Sequence, residues 1–172
     1  MRNKTRWITE TAIMLALLVI LQAVTKSAGQ LVTGSCVNAV LAVSVLVAGL
    51  SSGLTVALIS PFVAFLLGIG PQLLPIVPAI ALGNGVYVLL LHYLYRKHTT
   101  LWQALALICA ATAKFLTLHL VVVRILCNIL PLKQPQITTF STMFTWPQLI
   151  TALIGGALAL LIAPAIRKAL HR

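Results

Sequence analysis

Apolar residues run along this chain in six long stretches, residues 8–24, 31–50, 53–70, 73–95, 101–127 and 146–166. Each is close to the ~20 residues that carry a helix across a bilayer. A membrane strand would instead alternate apolar and polar positions over about ten residues, and no such alternation is present. The breaks between stretches are rich in Gly, Pro, Ser and Thr: 25–34, Ser51-Ser52, Gly70-Pro71, 98–100 and 128–145. Pro61, Pro75 and Pro78 fall inside or at the ends of spans, where helices packed against neighbours tolerate them. The pattern predicts an all-α membrane protein, a single domain of six transmembrane helices over residues 1–172.

Composition agrees. Only 8% of the 172 residues are charged and 60% are hydrophobic, with a mean hydropathy of +1.08. A soluble domain carries roughly 25% charged residues. The net charge of +11 does not point to nucleic acid, because its Lys and Arg sit at the ends of apolar runs and not on one face or helix. Their distribution sets orientation instead. Arg2, Lys4, Arg6, Arg96, Lys97, Arg167, Lys168 and Arg172 fall on one side of a six-span chain, and Lys26 and Lys133 on the other. The positive-inside rule then predicts cytoplasmic termini, with segments 25–34 and 128–145 facing outward. The basic N-terminus resembles a signal peptide, but residues 8–24 outlast a typical signal core and lack a small-x-small cleavage site, so a retained first helix is expected.

Ionisable groups are scarce enough to exclude several chemistries. Glu10 is the single acidic residue, and Arg6 lies one helical turn before it as the economical partner. No GxxxxGK[ST] loop is present and no carboxylate pair could hold magnesium or activate water. Enzymatic activity and metal or cofactor binding are therefore not expected. Cys36, Cys109 and Cys127 have neither CxxC nor Cys/His spacing and read as small apolar helix residues.

The fifth span carries the informative polar groups. A charge at the depth of Lys114 costs roughly 2.5–3.5 kcal/mol unless water or a partner answers it. At 100° per residue Thr117, Arg124 and Asn128 follow Lys114 on one face, a polar stripe rising outward, with His119 pointing elsewhere. Arg124 is balanced between this stripe and snorkelling to outer headgroups. Two cations without acidic partners suggest an anionic ligand arriving from outside. Asn84 in the fourth span and Asn38 in the second are further candidates, Asn84 with an interhelical hydrogen bond as its alternative. Lys26 and Gln30 in the first outer segment, and Trp146 and Gln148 at the start of the sixth span, complete the set; Trp146 also suits an interfacial anchor.

The first span, TAIMLALLVILQAVTKS, carries an AxxxA pair at Ala12 and Ala16, and Gly49 and Gly53 form a GxxxG across a turn. Small residues at this spacing let helices approach closely. With the second and third spans, GQLVTGSCVNAVLAVSVLVAGLSSGLTVALISPFVAFLLGIGP, the whole chain resembles the substrate-binding S component of energy-coupling factor (ECF) vitamin transporters. The resemblance implies a vitamin site near the outer face of a bacterial cell membrane. It also implies docking of the alanine motif on a membrane T subunit, with two ATPase subunits supplying energy. The sign of Lys114 and Arg124 favours pantothenate or a folate-like vitamin over a cation such as thiamine. The alternative is a self-sufficient facilitator or channel.

Overall fold

The computed structural model describes residues 4–95 and 99–170, so Arg2, Arg96, Lys97 and Arg172 lie outside the described residues. Every regular element among the described residues is helical: α1 (Lys4–Thr25), α2 (Gln30–Ala48), α3 (Leu50–Leu66), α4 (Ile76–Leu94), α5 (Thr100–Ile129), α6 (Gln134–Met143) and α7 (Trp146–Ala169). Five stretches are long and apolar enough to cross a membrane: Lys4–Ala28, Gln30–Ala48, Ile76–Leu94, Thr100–Ile129 and Gln134–Ala169. The helix α3, with 17 residues, is the shorter one. Large apolar side chains such as Leu66 and Leu161 are 80% and 76% exposed. So broad an apolar exterior suits lipid and not water.

Small residues set the packing. In lipid there is no hydrophobic force between helices, so close backbone approach and van der Waals contact do the work. On α7 the residues Ala152, Gly155, Gly156, Ala159 and Ala163 are all buried. Gly34 of α2 faces Thr151 of α7 so closely that a Cβ on it would meet Thr151 Cγ2 at 2.9 Å. Elsewhere polar clasps join helices: Thr11 donates to Ser52 Oγ (2.9 Å), linking α1 to α3, and Tyr87 donates to the Ala152 carbonyl (3.0 Å), linking α4 to α7. At the far end Arg167 donates through Nε (3.0 Å) and Nη2 (2.5 Å) to the Leu46 carbonyl, with its guanidinium over the Tyr95 ring.

Three local features depart from the sequence reading. The break expected at Ser51-Ser52 lies instead at Gly49, whose φ of 85° reverses the chain in one residue and leaves both serines inside α3. Only glycine adopts that backbone without strain. Segment 128–145 is not an open loop but contains α6. Gln136 Oε1 accepts from the Lys133 N–H (3.0 Å) to cap its start, and Phe140 and Phe144 bury against Ile76, Leu118 and Val122. Finally, α2 ends in π-helical turns over Ser44–Ala48, and α5 contains them over His119–Leu126.

Candidate functional site

The helix ends opposite Lys4 and Ala169 enclose a cavity of about 380 Å³. Its mouth is formed by the α1–α2 junction, the segment 67–75 between α3 and α4, and the α6–α7 junction. Three side chains tie these together. Lys26 Nζ donates to the Gly68 carbonyl (2.7 Å), while Gln30 Nε2 (2.6 Å) and Gln148 Nε2 (3.1 Å) both donate to the carbonyl of Met143. That carbonyl ends α6 and would otherwise lack a helical partner.

At the floor lies Lys114, only 3% exposed. Its ammonium has three hydrogens to place. Two go to Asn38 Oδ1 (2.6 Å) and Asn84 Oδ1 (2.7 Å), and the Tyr87 ring centroid lies 5.5 Å from Nζ. The helices deliver these groups from three directions: α2 brings Asn38, α4 brings Asn84 and α5 brings Lys114. Asn38 is held further by bonds from Nδ2 to the Gly34 carbonyl (2.9 Å) and to Thr151 Oγ1 (3.3 Å). All of Lys114's partners are neutral, and Glu10 is occupied by Arg6 at 2.9 Å. No carboxylate among the described residues contacts Lys114.

Of the residues singled out from sequence, Lys114, Asn84, Asn38, Gln30, Lys26 and Gln148 line the one cavity. Arg124, Asn128 and Trp146 do not, and all three are exposed. The stripe beyond Lys114 fails for a geometric reason. The π turns at His119–Leu126 take more residues per turn than an α-helix, so extrapolation at 100° per residue loses phase. Thr117 bonds back to the Ala113 carbonyl and Asn128 to the Arg124 carbonyl, so their polar groups serve α5 itself. Ala12 and Ala16 are exposed on α1, on a face left open by the bundle.

Sequence reasoning missed Gln22. It lines the cavity from α1, and its Oε1 is buried with no hydrogen-bond partner among the described residues. A glutamine inside an apolar first span was the available signal.

The model of the family "ECF transporter, substrate-specific component" matches residues 6–167. The chain belongs to this family. No match is found among curated proteins or among solved structures. An ECF S component is a multi-pass membrane protein that binds a small-molecule substrate for a T subunit and ATPase partners, and is not itself an enzyme. The cavity fits that role, being within the ~300–1,000 Å³ of small-ligand sites and mainly apolar with a few convergent polar groups.

Proposed function

We propose that this S component captures a small anionic vitamin from the outer side of a bacterial plasma membrane and passes it to a T subunit and two ATPases. The observation that carries the reading is Lys114, an ammonium at the cavity floor with only neutral partners. A ligand bearing one negative charge would offset it where charge-assisted hydrogen bonds are strong. Cations such as thiamine would meet it unopposed. Pantothenate, biotin, nicotinate and a folate-like vitamin all carry the matching sign.

Six crossings with both termini inside accord with the Lys and Arg distribution. At ~1.5 Å per residue the 17 residues of α3 rise about 26 Å, within reach of a hydrocarbon core when neighbours thin or cover the ends. The exposed face of Ala12 and Ala16 supports docking on the T subunit through close helix contact.

The test is equilibrium binding of radiolabelled pantothenate, biotin and nicotinate to the purified chain in lipid nanodiscs, with Lys114→Met beside wild type. Tight binding of an anion that Lys114→Met weakens by about 1.5–3 kcal/mol is expected. Equal affinity in the two proteins would remove the anionic site. Reconstitution in liposomes separates capture from facilitation, since a capture subunit alone binds without moving the vitamin across.

A further inference from the structure

The amide orientations around Lys114 are not free. An ammonium only donates, so each asparagine it touches must turn its carbonyl oxygen inward. This fixes an assignment that side-chain amides otherwise leave open. For Asn38 the consequence is internal, because its Nδ2 is spent on the Gly34 carbonyl and Thr151. For Asn84 it is not. Its Oδ1 is taken by Lys114, and its Nδ2 has no partner among the described residues although the residue is 2% exposed and lines the cavity. Lys114 likewise keeps one N–H beyond its two amide bonds.

Lys114 and Asn84 are therefore left with two adjacent donors, one of them charged, while the unpaired acceptor of the cavity wall, Gln22 Oε1, comes from α1. We propose that Lys114 and Asn84 form a two-pronged clamp for a carboxylate, one oxygen on each donor, with Asn38 as a positioning residue that holds the ammonium. The inference rests on the anionic-ligand reading and sharpens it to a chemical class. One cation answers one negative charge in a site of low dielectric, whereas a dianionic phosphate would leave excess charge buried. A neutral carbonyl could accept from both donors through one oxygen, but it would leave the ammonium's charge unanswered.

The experiment uses the full chain in nanodiscs and three acid–neutral pairs: pantothenate with panthenol, biotin with biotinamide, and nicotinate with nicotinamide. Affinity is measured for wild type and Asn84→Asp. Asn84→Asp is nearly isosteric, but it neutralises Lys114 and replaces the donor by an acceptor. For at least one pair the acid is expected to bind about a hundredfold more tightly than its neutral partner. Asn84→Asp should erase that preference while remaining monodisperse. A neutral partner that matches its acid on wild type overturns the clamp, and this comparison needs no variant to fold. Acid binding that survives Asn84→Asp but falls in Lys114→Met also overturns it, leaving the anionic reading standing. If no member of any pair binds, both readings fall together.

Discussion

Substituting Gly155 by alanine tests the packing on which the site depends. A Cβ at Gly155 would strike the Ser35 carbonyl oxygen and lie 2.6 Å from the Ala39 nitrogen and 2.7 Å from Asn38 Cβ. These atoms belong to the backbone of α2 or the root of a side chain, so none can swing aside. The helices must separate, and overpacking of this kind costs about 1–3 kcal/mol, with the upper part of the range expected here. Gly85→Ala is the matched control. Its Cβ would find nothing nearer than Leu58 Cδ2 at 3.8 Å, an ordinary contact. Replacing a mid-helix glycine there should stabilise by about 0.5–1 kcal/mol. The two substitutions thus differ in sign although each adds one methyl group to a buried helical glycine. SDS titration of the protein in mixed micelles, followed by tryptophan fluorescence, measures both. Because the displaced strip of α2 includes Asn38, Gly155→Ala should also lower ligand affinity. A Gly155→Ala protein as stable as wild type, or a Gly85→Ala protein equally weakened, would refute the α2–α7 contact described above.

Replacing Ala12 or Ala16 by leucine should leave ligand binding by the isolated chain intact and abolish uptake in cells carrying the T subunit and ATPases; loss of binding would mean that these alanines pack internally. Arg124→Gln should bind pantothenate, biotin or nicotinate as wild type does, because Arg124 lies outside the cavity; a loss as large as that of Lys114→Met would restore it to the site. In a background lacking Cys36, Cys109 and Cys127, single cysteines at Lys26 and Lys133 should react with an impermeant maleimide on intact cells, and one at Lys168 should react only after lysis. Labelling of the Lys168 position from outside would reverse the orientation.

The all-helical fold and five candidate spans were legible in the sequence because continuous apolar runs have few other uses, and the charge at Lys114 stood out for its cost in lipid. What the sequence concealed has specific causes. Ser51 and Ser52 look like a break, yet Ser52 is buried against Thr11 of α1, and the turn is decided by the backbone at Gly49. The helix α6 was hidden because QITTFSTM is too polar to register as apolar periodicity, and its order comes from Phe140 and Phe144 docking on distant residues. The convergence of Asn38, Asn84 and Lys114 depends on how three helices rotate against one another, which no spacing along one helix reports. Whether Arg124 would line the cavity could not be read from spacing, because the helical pitch through His119–Leu126 is not uniform.

That uneven pitch bears on how such a protein can diverge. Losing one residue from an ordinary helix turns everything beyond it by about 100° and is usually ruinous. The widened turns at His119–Leu126 already hold surplus chain, so a single-codon deletion there can be taken up by tightening to regular α-helix. The chain beyond, with Asn128, would keep its phase, and only side chains within the widened turns, Arg124 among them, would shift. Variation in length, and not only in residue identity, is thus something this stretch of α5 can absorb without disturbing the bundle on either side of it.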